Sequence, residues 1–351
     1  MRKFTTCIYI ICLILFGCDS PEKMQKVADQ TEEKAIKKGP ISLVIHGGAG
    51  YMTRESISTE RDSLYRAKLT EALNVGYAKL DKGLSAMDAV IAVIQVLEAS
   101  PLFNAGKGAV FTSSGKNELD AAVMDGKDKM AGAVAGVTTI KSPIEAARAV
   151  MEQSKHVMMA GEGAETFAKE KNLEIVDPSY FYTEDRFRTL ERIKAKEQQN
   201  NVSHMETHPD FKFGTVGCVA LDKDGNIAAG TSTGGMTNKK YGRIGDAPII
   251  AAGTYADNVT CGVSATGHGE YFIRNVVAYD IAAKMKYLNI SLKKAAEKTV
   301  NDELVTFGGD GGIIALDKAG NISMPFNTSG MFRGYKNSKE AARVFIYKDE
   351  K

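Results

Sequence analysis

Three sets of residues in this chain have types and spacings that could do chemistry. The first would make a serine hydrolase. Gly230-Thr231-Ser232-Thr233-Gly234 fits a G-x-S-x-G elbow, Asp246 and His268 follow in triad order, and His46-Gly47-Gly48 looks like an oxyanion loop. The elbow must run straight into a helix, however, and Gly234-Gly235-Met236-Thr237-Asn238 is a stretch that no helix favours. The second set would bind phosphate or metal. Gly47, Gly48 and Gly50 lack the Lys-Ser/Thr of a phosphate loop, and Gly308-Gly309-Asp310-Gly311-Gly312 opens a strand where phosphate binding wants a helix. His204 and His208 stand four apart but lie in a polar stretch with Pro209 directly after them, which reads as surface histidine rather than a zinc site.

The third set is Phe213-Gly214-Thr215-Val216-Gly217, where a long polar stretch stops at Gly-Thr and an apolar strand begins. A threonine hydroxyl is a weak nucleophile that needs a base beside it. Inside a chain the threonine nitrogen is an amide and cannot serve. Freed by cleavage it becomes an amine with a pKa of about 7.7–8, matched to proton transfer at neutral pH. Gly214 suits such a cleavage because it tolerates unusual backbone geometry and leaves room for attack on its carbonyl.

This bond resembles the self-cleaving bond of the N-terminal-nucleophile hydrolases, specifically the plant-type asparaginase/isoaspartyl peptidase family. Further motifs match in family order: His46-Gly47-Gly48-Ala49-Gly50, Pro101-Leu102-Phe103-Asn104-Ala105-Gly106, Thr231-Ser232-Thr233-Gly234-Gly235-Met236, Gly242-Arg243-Ile244-Gly245-Asp246, Ala265-Thr266-Gly267 and Pro325-Phe326-Asn327-Thr328. They cover about 41–335.

The resemblance implies roles residue by residue. Thr215 would be the nucleophile after cleavage of Gly214-Thr215, and Thr233 the second active-site threonine that tunes it, with Thr231 in support. Thr266 and Gly267 would form the oxyanion hole, at a strand end where backbone N–H groups and a following helix favour negative charge. Arg243 would grip the substrate α-carboxylate, Asp246 the α-ammonium, and Gly269 would leave space between them. Backbone oxygens of Leu97, Glu98, Ser100, Phe103, Ala105 and Lys107 would hold a structural sodium ion, bracing Asn104, which faces the active site. His268 reads as a helix-start residue. The implied activity is hydrolysis of isoaspartyl dipeptides and L-asparagine by a dimer of cleaved αβ units, without a catalytic cofactor. Glycosylasparaginase shares the mechanism, but there the residue before the nucleophile is typically Asp, whereas here it is Gly214. An uncleaved surface-binding lipoprotein is the reading from another class.

The elements that must position these residues are legible in outline. Ile41–Ile45 is a short apolar strand entering the His46 motif. Two helical stretches follow, the second opened by Ser85 with Asp88 three residues on. Short strands are expected over Gly108–Phe111, Leu119–Met124 and Ala131–Thr138, with a helix from Ser142-Pro143-Ile144-Glu145. The polar run 184–213 reads as a loop between two folded halves. Val216–Leu221 and Ile227–Thr233 flank an Asp224-Gly225-Asn226 turn, a hairpin echoed near Asp317 and Asn321. Helices are expected at about Glu270–Met285 and Leu292–Asn301. Runs of strands and runs of helices give an α+β fold, a four-layer α/β/β/α sandwich with antiparallel sheets.

The rest of the chain sets the context. Lys and Arg number 45 against 43 Asp and Glu in 351 residues, so charge gives no reason to expect nucleic acid. Arg2-Lys3 followed by the apolar run Phe4–Gly17 fits a signal peptide over 1–17 and is too short to span a bilayer. Leu15-Phe16-Gly17-Cys18 resembles the lipobox of bacterial lipoproteins, with Cys18 carrying the lipid. The charged stretch 18–40 reads as a tether, leaving 41–214 as an α subunit and 215–351 as a β subunit of an exported, membrane-anchored protein. Cys218 and Cys261 lie in apolar, strand-like surroundings and read as buried thiols rather than a disulfide.

Overall fold

The computed structural model describes residues 40–200 and 214–350. The signal peptide, Cys18, the tether, His204 and His208 lie outside the described residues. The first half of the chain runs β1 (Ser42–Gly50), α1 (Thr59–Asp81), α2 (Ala86–Glu98), β2 (Leu119–Asp125), β3 (Ala131–Val137), α3 (Pro143–Gln153), β4 (Met158–Ala160), α4 (Gly161–Glu170) and α5 (Glu184–Asn200). The second runs β5 (Val216–Leu221), β6 (Ile227–Thr233), β7 (Thr254–Ala256), β8 (Cys261–Gly267), α6 (Gly269–Asn275), α7 (Val277–Leu288), α8 (Leu292–Glu297), β9 (Gly311–Asp317), β10 (Ile322–Ser323), β11 (Gly330–Asn337) and β12 (Arg343–Tyr347).

The strands form one sheet in the order β12-β11-β1-β5-β6-β2-β3-β4 and a second in the order β10-β9-β8-β7. All pairs are antiparallel except β3 with β4. β1 shows why there are four layers. Its alternate residues serve two cores, because successive side chains in a strand point to opposite faces. Leu43 and Ile45 pack with Leu69, Leu73 and Val90 of the helices on one side. Val44 packs with Val263, Ile313 and Ile281 of the second sheet and its own helix layer. β1, β5 and β6 are buried along their whole length, and the polar residues they carry, such as His46 and Thr231, must find partners inside the protein. The four-layer α+β sandwich expected from the sequence is the fold found.

The two echoed hairpins have the same geometry. Asp222 accepts backbone N–H bonds from Asp224 and Asn226 on its Oδ1 at 2.9 and 3.0 Å. Asp317 does the same for Ala319 and Asn321. Gly225 and Gly320 each take φ +82°, a left-handed conformation that glycine adopts without cost. Asp222 also reaches outside its hairpin: its Oδ2 accepts from Ala86 N–H at 3.1 Å, at the first turn of α2.

Several expectations fail for identifiable reasons. Residues 184–200 are not a loop but the helix α5. Phe187, Leu190 and Ile193 share one face; Leu190 and Ile193 are buried, and Phe187 meets Phe111 and Tyr182. Arg188 bridges to Glu184 one turn back at 2.8 Å. Three apolar positions among so many charges carry the helix through tertiary packing. Gly108–Phe111 holds no strand; a 3-10 turn, Gly106–Gly108, stands there instead. The helix expected over 270–285 is broken at Val276, which sits at φ +48° between α6 and α7. After α8 the chain widens into a π-turn over Lys298–Glu303. The Ser85 capping box forms as read. Ser142 makes no side-chain cap; its hydroxyl donates to Glu98 instead, and Glu98 Oε1 accepts from Ile144 N–H at 3.1 Å, capping α3 from another helix. Cys218 and Cys261 are buried free thiols in different cores, and burial pushes both well above the ordinary thiol range.

Asp222 is buried and ties β5, β6 and the start of α2 through one carboxylate. Asp222→Ala leaves three N–H groups without their acceptor and should lower stability by about 3 kcal/mol in denaturant unfolding. A loss below about 0.5 kcal/mol, the range of a neutral surface change, would contradict this linkage.

Candidate active site

Thr215 stands at the entrance of β5, which lies between β1 and β6 in the middle of the large sheet. The antiparallel register pairs Val216 with Ser232, so the start of β5 lies beside the end of β6, where Thr233 is. The hairpin alone therefore brings the two threonines together. Thr215 Oγ1 donates to Thr233 Oγ1 at 3.1 Å, and Thr233 Oγ1 in turn donates to the Gly214 carbonyl at 3.1 Å. The N–H of Gly235 donates to the same Thr233 oxygen at 3.0 Å and fixes its rotamer. Asn104 completes the enclosure. Its Nδ2 donates to the carbonyls of Gly214 at 2.8 Å and Gly235 at 2.7 Å, and its Oδ1 accepts from Val110 N–H. The Gly214 carbonyl thus has two donors aimed at its oxygen, the arrangement that stabilises an oxyanion.

The backbone of Thr215 is held from the other side by a residue whose role the sequence did not disclose. His46 Nδ1 lies 2.9 Å from the Thr215 carbonyl, and its Nε2 lies 2.9 Å from Ser264 Oγ. Burial lowers the His46 pKa to about 3, so the ring is neutral. A neutral ring with a carbonyl at Nδ1 must carry its proton there, and Nε2 then accepts from the Ser264 hydroxyl. The chain of hydroxyls continues from Ser264 to Thr231 at 2.7 Å and from Thr231 to Thr254 at 2.7 Å. Thr231 thus supports the site as a buried hydroxyl linking the two sheets. Gly217 makes room for this network: a Cβ there would lie 2.0 Å from Ser264 Oγ and 2.3 Å from His46 Nε2.

Glu98 is a second buried group beneath the threonines. Its Oε1 accepts from Ser232 Oγ at 2.6 Å and its Oε2 from Ser142 Oγ at 2.7 Å. Burial raises its carboxyl to about 7 despite these donors. The side chain clamps Ser232, between Thr231 and Thr233, to α3. The carbonyl of Glu98 enters the loop expected to hold sodium. A Cβ at Gly106 would lie 2.4 Å from Glu98 O, and one at Gly108 would lie 2.0 Å from Phe103 O and 2.8 Å from Pro101 O. Two of the six expected oxygens, those of Glu98 and Phe103, thus lie close against these glycines, and backbone oxygens are the donors a hard monovalent cation takes.

Arg243, Asp246, Gly269 and the unforeseen Glu270 meet in one place. A Cβ at Gly269 would sit 2.8 Å from Arg243 Nη2 and 2.9 Å from Asp246 Oδ1. Arg243 directs Nε and Nη2 at Glu270 Oε1 and Oε2 at 2.9 and 2.8 Å. The fork expected to face a substrate carboxylate is thus oriented by Glu270, leaving Nη1 outside that pair. Asp246 is buried, and its Oδ2 has no hydrogen-bond partner. Burial raises its carboxyl to about 7. A buried carboxylate oxygen without a donor is costly unless a cation arrives, and a substrate ammonium would supply one. Thr266 and Gly267 end β8, paired with Gly312 and Gly311. Thr266 Oγ1 accepts from Ala49 N–H at 3.3 Å, linking that strand end to the His46 motif. His268 is the cap residue of α6, as expected.

A family model described as asparaginase matches residues 39–346. A Dictyostelium discoideum protein is 50% identical over 342 residues, covering 87% of this chain and 98% of its own. The isoaspartyl peptidase of Escherichia coli (strain K12) is 48% identical over 314 residues, covering 89% of this chain and 98% of its own. The plant-type L-asparaginase of Pyrococcus abyssi is 42% identical over 299 residues, covering 83% and 94%.

The Asp246 carboxyl, raised to about 7 by burial, is ionised above that pH and neutral below it. An α-ammonium ligand such as L-aspartate should therefore bind about 10-fold more weakly at pH 6 than at pH 8. Inhibition constants across that range check this; a flat profile would contradict the assignment of Asp246 to the ammonium.

Proposed function

The chain belongs to the asparaginase family, and on that premise we propose that it is an isoaspartyl peptidase/L-asparaginase that activates itself by cutting Gly214-Thr215. The observation that carries this is the Thr233 hydroxyl, which lies 3.1 Å from both the Thr215 hydroxyl and the Gly214 carbonyl oxygen. In self-cleavage Thr215 Oγ1 attacks the Gly214 carbonyl carbon, and the oxyanion remains between Asn104 Nδ2 and Thr233 Oγ1. The hydroxyl proton passes to the Thr215 nitrogen as the C–N bond breaks. Water then hydrolyses the resulting ester, leaving a Gly214 carboxylate and a free Thr215 amine.

The amine takes over as base for substrate. It withdraws the Thr215 hydroxyl proton as Oγ1 attacks the side-chain carbonyl of an aspartyl substrate. It returns that proton to the leaving nitrogen, and water releases aspartate from the acyl-enzyme. Thr266 and Gly267 would hold the oxyanion of this second reaction. Asp246, buried without a partner on Oδ2, is suited to the α-ammonium, and Arg243, oriented by Glu270, to the α-carboxylate. Isoaspartyl dipeptides and asparagine share that aspartyl end and differ in the leaving group, so one site serves both.

Sodium bound by backbone oxygens of Leu97, Glu98, Ser100, Phe103, Ala105 and Lys107 would supply no bond-breaking chemistry, only bracing of Asn104. Support comes from the Glu98 and Phe103 carbonyls, which lie close against Gly106 and Gly108. Export with lipid on Cys18, which rests on the sequence, and a dimer of cleaved units, which rests on the family resemblance, belong to the same proposal.

Purified protein should hydrolyse β-Asp-Leu and L-asparagine faster than a glycosyl-asparagine. The reverse order would replace this reading with glycosylasparaginase. Asn104→Ala removes one of two donors on the Gly214 oxygen and should slow self-cleavage about 100- to 1,000-fold in a gel time course. Cleavage at the normal rate would remove Asn104 from the mechanism.

A further inference from the structure

A cavity adjoins Gly214, the residue before the scissile bond. It encloses about 630 Å³ of empty space counted to its open mouth, and its lining includes Gly214, Asn104, Arg61 and Arg186. None of Arg243, Asp246 and Gly269 lines it. The position of Gly214 gives the cavity its meaning. In the uncut chain Gly214 is the group attached to the Thr215 nitrogen. Once it departs, the cavity opens on that nitrogen, which must hand a proton to the leaving amine. A leaving group within proton-transfer reach of that amine therefore extends into this cavity.

The walls are built for a particular leaving group. Tyr65 and Phe332 stack at 4.2 Å between ring centroids, and Phe103 meets Tyr65 edge-on at 5.6 Å. They form an aromatic wall beside Gly47, where a Cβ would collide with the Phe103 ring at 2.5 Å. Two guanidinium groups face the same space. Arg186 donates from Nε to the Gly108 carbonyl at 3.0 Å and from Nη2 to the Leu102 carbonyl at 3.4 Å, neutral acceptors rather than a carboxylate. Arg61 lies 3.5 Å from the Tyr65 hydroxyl and 3.6 Å from Asp185, an exposed and therefore weak pair.

We propose that this cavity is the leaving-group subsite, that Arg61 and Arg186 receive the free α-carboxylate of the residue leaving an isoaspartyl dipeptide, and that Tyr65, Phe103 and Phe332 receive its apolar side chain. The inference rests on the isoaspartyl peptidase reading and adds which dipeptides the site prefers: those ending in an apolar residue with a free carboxylate. Asparagine releases ammonia and leaves the subsite unused.

The test compares β-Asp-Leu with its C-terminal amide, β-Asp-Leu-NH2, on the cleaved wild-type enzyme and on Arg61→Ala. Wild type should favour the acid by at least ~10-fold in kcat/KM, as a charge-assisted contact requires. Arg61→Ala should bring that ratio well below the wild-type value, Arg186 still being in place, and a ratio taken within one variant cancels any general loss from folding. A wild-type ratio near one, or a ratio unchanged by Arg61→Ala, would overturn the subsite while leaving the hydrolase reading intact. Turnover of asparagine but not β-Asp-Leu would overturn the subsite together with the isoaspartyl peptidase reading, leaving an L-asparaginase. Turnover of neither substrate would overturn the hydrolase reading and the subsite together.

Discussion

The rest of the structure depends on a single hydroxyl. Thr233 accepts from the Thr215 hydroxyl and from Gly235 N–H, and donates to the Gly214 carbonyl. An oxygen with one proton and two lone pairs has then no capacity left, so its orientation is determined. The Thr215 hydroxyl and the Gly214 carbonyl are consequently held against the same atom. That requires the two threonines to sit at adjoining ends of neighbouring strands, which a β5–β6 hairpin in the middle of a sheet provides. It also requires that neither strand can slip. Asn104, His46 and Glu98 each pin a different part of the pair: the Gly214 carbonyl, the Thr215 carbonyl and Ser232.

Burial of polar groups around this pair follows a consistent electrostatic scheme. His46 is kept neutral by burial, so it orients the Thr215 carbonyl without adding charge near the Thr215 hydroxyl. Glu98 faces hydroxyls and a helix N-terminus, partners that suit either of its protonation states near neutrality. Asp246 alone among these keeps a buried oxygen unmatched, at the place proposed for the substrate ammonium. Binding there would give the carboxylate the cation that the folded protein withholds. The site thus separates groups that are fully satisfied and rigid from one that is completed by its ligand.

Much of this was legible in the sequence because the informative residues carry strong local signals. The Asp224-Gly225-Asn226 turn declares a hairpin, and its loop length sets the register that brings Thr215 beside Thr233. Ser85 with Asp88 announces the start of α2. Other features depend on partners remote in sequence. Helix α5 is hidden because Phe187, Leu190 and Ile193 are a thin apolar stripe within a charged segment. Ser142 has the local signature of a cap, yet Glu98 outcompetes it from another helix. Glu270 gives no sign of orienting Arg243, since the two are separated by β7 and β8. His46 was visible only as part of a glycine-rich motif, and its single-proton link to Thr215 becomes clear once Ser264 is placed against Nε2.

The most direct test of the central claim is the intact mass of the purified wild-type protein beside Thr215→Ala. The account predicts two wild-type fragments, the smaller beginning at Thr215, and one uncut chain from the variant. A wild-type chain that stays whole after prolonged incubation would contradict it, because without a free Thr215 amine the site has a nucleophile and no base.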